Sequence, residues 1–264
     1  MRLNAGAPRC RYHAGVTCLV VVPTYNEREN LPAIVPAILA RGEHFHVLVV
    51  DDNSPDGTGQ LADDLALQHP GRVHVSHRRG KRGLGTAYTH GFRWALERGY
   101  EFIFEMDADF SHNPADLPRL LEAVRGADVA IGSRWVAGGG TRNWSVLRQS
   151  ISRGGSRYAQ AILGVPVRDL TAGFKAFRRE VLASLDLDAI RSNGYAFQVE
   201  VNYACHRMGY RIVEVPVMFE DRRVGQSKMS PIIVLEAALH VWKWRIYGPS
   251  GGVRRAKYSR IPPA

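Results

Sequence analysis

The chain has 264 residues, 45% of them hydrophobic and 23% charged, which is ordinary for a globular domain and excludes a disordered or fibrous protein. Its three cysteines are too few for a disulfide framework, and its ten histidines show no zinc spacing, which predicts a reducing compartment. The net charge is +10, and the acid-free segments 1–15 and 248–264 carry seven of those charges.

The two basic ends predict how the chain is organised. Basic ends of this kind bind anionic lipid headgroups or nucleic acid, or they stay solvated. We expect a basic N-terminal tail at 1–15, a single folded domain at 16–247 that ends in an amphipathic helix, and a basic C-terminal tail at 248–264. The sequence leaves open whether either tail has a partner.

Strand and helix patterns alternate along the first half of the chain. Apolar runs predict strands at 17–23, 46–50, 73–75, 100–106 and 128–134, with helices at 31–40, 60–68 and 86–98. Continuous apolar strands alternating with helices predict an α/β fold with a mostly parallel central sheet and helices on both faces. Ligands of such sheets bind beyond the carboxyl ends of the strands.

Polar side chains directly follow four of these strands: Tyr25 and Glu27, Asp51 and Asp52, Asp107 and Asp109, and Arg134. So many carboxylates at one rim repel one another unless a cation binds there. Two carboxylates two residues apart suit Mg²⁺ or Mn²⁺, which prefer oxygen ligands and phosphate. The first strand leads into PTYNE and lacks Gly-x-Gly-x-x-Gly, which argues against a dinucleotide-binding dehydrogenase.

A helix is predicted over residues 232–246, and the sequence has no segment apolar and long enough to span a bilayer. One helical face carries Ile232, Leu235, Leu239, Trp242 and Ile246. This face either covers the sheet or lies on a membrane surface, with Trp242 and Trp244 as interfacial aromatics between cations.

Several motifs together resemble glycosyltransferase family 2, and within it the dolichyl- or polyprenyl-phosphate mannosyltransferases. The first half contributes VVPTYNE (21–27), VDDNSPDGT (50–58), GLGTAY (83–88), MDADFSHNP (106–114) and GSRW (132–135). The second half contributes ISRGG (151–155), DLTAGFKAFRR (169–179), GYAFQVE (194–200) and DRRVGQSK (221–228). The resemblance runs in order from about residue 16 to 247.

The resemblance implies a nucleotide-diphosphosugar transferase fold of the GT-A type and sugar transfer with inversion. It implies that Pro23, Tyr25 and Glu27 contact the nucleoside, that Asp52 reads the base edge, and that Lys81 and Gly85 contact the nucleotide sugar. Asp107 and Asp109 would hold the nucleotide and a divalent metal, Mg²⁺ or Mn²⁺. Ser111 stands where the family often has Gln, and this shorter side chain predicts weak or water-mediated metal binding.

The acceptor chemistry can be argued from the residues. A lipid monophosphate is already anionic at pH 7, because its second pKa is about 6, so it needs cations and no general base. The expected cations are Arg134, Arg148, Arg153, Arg222 and Lys228. Arg134 and Arg222 join Asp107 and Asp109 as candidate catalytic residues, while Arg148 and Arg153 compete for one phosphate-binding role.

The sequence also predicts roles for one histidine and one glutamate. His112 is predicted to shape a turn, and Glu200 to line the acceptor site or to cap a helix.

Together these observations predict a metal-dependent mannosyltransferase, peripheral on the cytoplasmic face of a membrane, that moves mannose from GDP-mannose to a polyprenyl monophosphate. Either its terminal helix and tail or a separate membrane protein would anchor it. A polyprenyl-phosphate glucosyltransferase that uses UDP-glucose is the alternative, since Asp52 alone does not distinguish guanine from uracil. A non-catalytic module that binds nucleic acid is disfavoured, because the basicity lies mostly in the tails.

Overall fold

The computed structural model describes residues 17–221 and 231–250, and only the backbone of residues 231–238. The strands of the described chain are β1 Cys18–Thr24, β2 Phe45–Asp51, β3 Val73–His77, β4 Phe102–Glu105, β5 Val129–Ser133, β6 Gly140–Arg142, β7 Lys175–Arg178, β8 Ile212–Pro216 and β9 Met218–Glu220. The α-helices are α1 Leu31–Leu39, α2 Thr58–Gln68, α3 Leu84–Arg98, α4 Leu117–Arg125, α5 Val146–Leu163, α6 Arg179–Ser184, α7 Gly194–Arg207 and α8 Pro231–Tyr247.

Seven of these strands form one sheet in the order β3-β2-β1-β4-β7-β5-β8, and β6 pairs with β9 beside it. All neighbours in the large sheet are parallel except β7, which runs antiparallel between β4 and β5. Because β7 runs the other way, its first residue lies at the edge where the parallel strands end. The segment before β7 therefore lies at the same edge of the sheet as the residues that follow β1, β2, β4 and β5.

The central strands are apolar throughout because helices bury both of their faces. In β1, Leu19 and Val21 pack against α3 and the helices of the second half, whereas Val20 and Val22 pack against α1, α2 and α4. This arrangement confirms the predicted α/β class, the mostly parallel sheet and the helices on both faces.

The helix predicted over 86–98 begins two residues earlier, at Leu84. Gly83 precedes it with φ +94°, a conformation that favours glycine, so the loop can turn directly into the helix. Gly85 is buried on the first turn, and a Cβ there would lie 2.5 Å from the main-chain oxygen of Ser192. Glycine at this position therefore serves close packing between α3 and the segment before α7.

Helix α8 packs against α5 and α7 through a face different from the predicted apolar stripe. Val241 and Trp244 are buried, whereas Leu239, Trp242 and Ile246 are 64%, 51% and 67% exposed. The prediction that Trp244 is an interfacial aromatic is thus wrong, because this side chain belongs to the core. The side chains of Ile232 and Leu235 lie outside the described part. Among the described helices, none is long and apolar enough to cross a bilayer.

Candidate active site

A cleft of about 370 Å³ opens at the carboxyl edge of the parallel strands. Most of the sequence-predicted site residues line it: Pro23, Tyr25, Glu27, Asp52, Lys81, Asp107, Asp109, Ser111, Arg134 and Arg148. Residues that are distant in sequence therefore share one site, as expected where parallel strands end together.

The strand order fixes the sequence of groups across the cleft. Asp52 follows β2, Tyr25 follows β1, Asp107 follows β4, Gly173 precedes β7 and Arg134 follows β5. From β2 to β5 there are four strand spacings of about 4.8 Å, or roughly 19 Å in all. The cleft thus runs from an aromatic and acidic end, through a pair of carboxylates, to an end containing arginine.

At the aromatic and acidic end of the cleft, the side chain of Asp52 is held in place by two arginine residues. Its carboxylate forms a 2.8 Å ion pair with Arg78 and accepts the main-chain N–H of Arg82 at 3.3 Å. Burial raises the pKa of Asp52, and the Arg78 guanidinium opposes that rise. The Lys81 ammonium lies 3.9 Å from the centre of the Tyr25 ring. Asp52 thereby fixes the basic loop that carries Lys81, in addition to lining the cleft.

At the centre, the hydroxyl of Tyr88 donates a 3.0 Å hydrogen bond to Asp107 Oδ1. Burial raises the pKa of Tyr88 well above its usual value, and the Asp107 carboxylate adds to the shift, so the hydroxyl keeps its proton. The main-chain N–H of Asp107 donates to Nδ1 of His112 at 3.0 Å. An Nδ1 atom that accepts leaves the proton of a neutral imidazole on Nε2.

The second carboxylate of the pair shapes the turn after β4. Asp109 Oδ1 accepts the main-chain N–H of Ser111 at 3.0 Å, and Phe110 between them has φ +61°. Ser111 Oγ is buried and has no hydrogen-bond partner in the described chain. Two carboxylates with a buried, unused hydroxyl are a donor set that Mg²⁺ or Mn²⁺ accepts, provided phosphate and water oxygens complete the coordination.

Arg134 lines the cleft, but its guanidinium is largely occupied. Nε and Nη2 donate to the two carboxylate oxygens of Asp169 at 2.7 and 2.6 Å, and Nη2 also donates to Thr171. Both members of this ion pair are buried. The bidentate fork expected to grip an acceptor phosphate therefore holds the 169–171 segment instead.

Arg148 and Arg153 both lie on α5 and differ in position. Arg148 lines the cleft, with its guanidinium 3.9 Å from the Trp144 ring and an ion pair of 2.7 Å to Asp221. Arg153 is exposed and does not line the cleft. The geometry thus favours Arg148 for the role that the sequence left open between them.

Four other residues that the sequence predicted for the site are not found in the cleft of the described chain. Gly85 does not line the cleft. Glu200 is buried away from it, accepting hydrogen bonds from the Ser192 hydroxyl and the main-chain N–H of Ser250, so it ties the end of α8 to the start of α7. Arg222 and Lys228 lie outside the described residues.

Several residues that line this cleft were not predicted from the sequence. His112, interpreted as a turn residue, is buried and faces it, stacked on Phe174 at 4.9 Å between ring centres. Gly173 and Gln198 lie between the carboxylate pair and Arg134. His112 carries a local signal, since it follows Asp109 by three residues. Gln198 lies on α7, within the motif GYAFQVE (194–200), but no predicted strand end pointed to it.

The fold is that of an α/β protein with a cleft across the ends of β2, β1, β4 and β5. The Glycosyl transferase family 2 model matches residues 19–186, more than half of the chain. The chain therefore belongs to glycosyl transferase family 2, and it is a glycosyltransferase.

Two curated relatives are similar over nearly their whole length. The polyprenol monophosphomannose synthase of Mycolicibacterium smegmatis is 53% identical over 87% of this chain and 87% of its own. The undecaprenyl-phosphate mannosyltransferase of Micrococcus luteus is 52% identical over 89% of this chain and 97% of its own. These relatives confirm the resemblance to polyprenyl-phosphate mannosyltransferases.

Solved structures support the fold. Glucosyl-3-phosphoglycerate synthase from Mycobacterium tuberculosis, in complex with Mn²⁺, UDP-glucose and glycerol 3-phosphate, aligns with a TM-score of 0.61 at 18% identity, covering 92% of this chain and 83% of that one. Its complex with phosphoglyceric acid aligns with the same TM-score at 19% identity, covering 89% and 81%. At these identities the likeness concerns the fold alone, which is of the GT-A type.

Proposed function

We propose that this protein transfers mannose from GDP-mannose to a polyprenyl monophosphate, with inversion at the anomeric carbon and with Mg²⁺ or Mn²⁺. We assign the activity to a single domain at 16–247, with basic tails at 1–15 and 248–264. The order of groups across the cleft carries the proposal. A nucleoside-binding end, a carboxylate pair and an arginine end follow one another along the sheet edge, as a nucleoside diphosphosugar and an anionic acceptor require.

The donor end fits a nucleotide. The Tyr25 ring, backed by Lys81, offers a flat face for a base, and Asp52, whose Oδ1 is buried against Arg78, offers Oδ2 to an N–H group of a base edge. Pro23 and Glu27 line the same end. Asp52 alone does not distinguish guanine from uracil, so the proposal of GDP-mannose rests on the resemblance to the polyprenyl-phosphate mannosyltransferases.

The carboxylate pair fits a divalent metal. Asp107, Asp109 and the unused hydroxyl of Ser111 would hold it, and the bound metal would neutralise charge on the departing diphosphate. Tyr88 and His112 fix Asp107 from behind, so this carboxylate is already oriented before the donor arrives.

The acceptor end supplies charge and no base. A phosphate oxygen of the acceptor attacks the anomeric carbon, the bond from that carbon to the diphosphate oxygen breaks, and the electron pair leaves with GDP. The acceptor oxygen is already anionic, so no proton has to be removed. We assign the acceptor phosphate to Arg148, together with Arg222 and Lys228 outside the described residues, and we assign Arg134 to positioning the 169–171 segment.

The surface near the acceptor end suits a lipid surface. Val146 and Leu147 on α5 are 79% and 70% exposed, and the exposed Trp242 and Ile246 lie on α8, which packs against α5. Helix α5 contains three arginines and no acid. Apolar side chains with interspersed cations are the pattern of interfacial helices. We propose that these helices, helped by the C-terminal tail or by a membrane-anchoring protein, hold the enzyme on the cytoplasmic face of the membrane.

A donor screen tests the proposal. Purified protein is incubated with a short-chain polyprenyl phosphate and with GDP-mannose, UDP-glucose or GDP-glucose, with and without EDTA, and the lipid product is identified by mass spectrometry. We expect polyprenyl-phosphate-β-mannose from GDP-mannose alone, and none with EDTA. Efficient product formation from UDP-glucose would favour the glucosyltransferase, and EDTA-resistant transfer would contradict the metal assignment.

A further inference from the structure

The cleft has a middle section that neither the nucleotide nor the acceptor phosphate accounts for. It lies between the carboxylates after β4 and Arg134 after β5, at the start of the antiparallel strand β7. Gln198 of α7 and Gly173 before β7 line it. Because the diphosphate would lie at the carboxylates and the acceptor beyond, the hexosyl ring of the donor would occupy this section.

Gln198 is held in one orientation by a buried lysine. The Lys175 ammonium, which is fully buried, donates to Oε1 of Gln198 and to its main-chain oxygen, the latter at 3.3 Å. An ammonium has no acceptor capacity, so the amide atom that faces it has to be the oxygen. The amide nitrogen of Gln198 therefore points away from Lys175.

One N–H of that nitrogen faces the Glu105 carboxylate, and the nitrogen also lies beside Gly173. A Cβ built on Gly173 would lie 3.3 Å from Gln198 Nε2 and 3.6 Å from His112 Cε1. Glycine thus leaves open the space beside the amide, on the wall of the cleft. Gln198 is 3% exposed and lines the cleft.

A buried lysine at this place needs a reason, because burying an ammonium is costly. Lys175 stands opposite Glu105 in the β4–β7 register, and both side chains are fully buried. The Gln198 side chain also hydrogen-bonds the Glu105 carboxylate, so Lys175, Gln198 and Glu105 form one buried polar cluster. An apolar pair would fill the same space between these strands without that cost. What the lysine adds is a fixed donor for Gln198.

We propose that Gln198 is a specificity-determining residue that donates its amide N–H to a hydroxyl of the donor hexose, and that Lys175 is the positioning residue that holds it. The inference rests on the proposed function and deepens it, since it assigns the sugar subsite of the same cleft. A side chain pinned in advance loses little conformational entropy when the sugar binds.

Two variants test this, with one control. Gln198→Met keeps the side-chain volume and removes the amide, and Gly173→Ala leaves the Lys175 bond intact while pushing on the amide nitrogen. Gln60→Leu, an exposed glutamine on α2, is the control. The measurements are kcat/KM for transfer from GDP-mannose and the Kd of GDP, which has no sugar. If Gln198→Met does not fold, Gly173→Ala gives the answer alone.

We expect kcat/KM to fall about tenfold or more in both variants, the loss of a buried hydrogen bond, while the Kd of GDP stays within about twofold of wild type. The control Gln60→Leu should match wild type in both kcat/KM and the Kd of GDP. An equal loss of GDP affinity would place Gln198 in the nucleotide site, and unchanged kcat/KM would overturn the inference. Failure of the proposed function is visible separately, since wild-type protein would then bind no GDP and form no mannolipid.

Discussion

The guanidinium of Arg134 and the carboxylate of Asp169 form a buried, two-point ion pair that joins the end of β5 to the segment entering β7. Asp169 is itself positioned, because its main-chain N–H donates to Glu214 on β8 at 3.0 Å. Three neighbouring strands are thereby linked at the floor of the arginine end of the cleft.

Asp169→Asn should therefore destabilise the protein strongly. It leaves Arg134 buried without its counter-charge, which costs about 3–5 kcal/mol in comparable cases. Denaturant unfolding monitored by circular dichroism measures the change. The control is Glu220→Gln, which removes the exposed ion pair of Arg142 with Glu220 and should cost less than about 1 kcal/mol. A similar loss of unfolding free energy in the two variants would show that the buried ion pair stabilises the protein no more than the exposed one.

Asp109→Asn should abolish metal-dependent transfer while the fold stays intact. The substitution keeps the size of the side chain and the turn, but it halves the negative charge of the carboxylate pair that would hold the metal. Product formation over a Mn²⁺ series and thermal unfolding are measured on the same sample. Asp64→Asn, at an exposed position of α2, serves as the control. Transfer at a near wild-type rate in Asp109→Asn would remove the metal site from the mechanism.

Arg148→Ala should slow transfer far more than it weakens donor binding. One charge-assisted hydrogen bond to the acceptor phosphate contributes about 1.5–3 kcal/mol, or roughly 10–150-fold in kcat/KM. Calorimetry with GDP-mannose provides the donor affinity. Arg153→Ala, five residues further along α5 and outside the cleft, should stay close to wild type. A larger effect at Arg153 would reverse the assignment between these two arginines.

Trp242→Glu and Leu147→Glu should each weaken binding to anionic vesicles about tenfold or more, because burial of a large apolar side chain in the interface contributes roughly 1.5–3 kcal/mol. Co-sedimentation over a salt series measures this, and activity on a water-soluble acceptor should survive. Leu67→Glu is the matched control, since Leu67 is 81% exposed on α2, which packs on the other face of the sheet. Equal vesicle binding by all three variants would mean that α5 and α8 do not contact the lipid.

The free energy of unfolding should fall as the pH drops from about 6.5 to about 4. Burial lowers the pKa of His74 from 6.5 to about 4, and the neighbouring His46 adds to the shift, so the unfolded chain takes up a proton that the folded chain resists. The contribution of His74 to the free energy of unfolding is fully present above its pKa in the unfolded chain. It is lost as the pH falls towards its pKa in the folded protein. Urea unfolding at several pH values measures the slope, which His74→Phe should reduce. His69→Gln, outside this cluster, should leave the slope unchanged.

The parts of the site that follow parallel strands could be predicted from the sequence, because strand end and side chain are neighbours in the chain. Asp107 and Asp109 are examples, and so is Tyr25, each placed by an apolar run directly before it. The parts that depend on β7 could not. A four-residue strand gives no local sign that it will lie antiparallel between β4 and β5, so the motifs that contain Gly173 and Gln198 did not reveal that both residues line the cleft.

Arg134 shows a second effect that the sequence does not reveal. An arginine after a strand and near expected phosphates is a reasonable anion ligand, but a carboxylate from a distant segment competes for the same fork. The sequence gives no measure of that competition, because Asp169 lies 35 residues away along the chain. The prediction that Trp244 is an interfacial aromatic was wrong for a similar reason, since α8 presents its other face to the core.

The position of β7 also governs the order in which a ribosome can deliver a working enzyme. Strands β4 and β5 are both synthesised before residues 175–178, yet in the finished sheet β7 separates them and pairs with each. A nascent chain that ends before β7 therefore has unpaired, apolar strand edges at Phe104 and Ile131, which are sites for faulty pairing. It also lacks Lys175 and Gln198, so an arrested or prematurely released fragment can bear the carboxylate pair without the wall of the cleft that faces it.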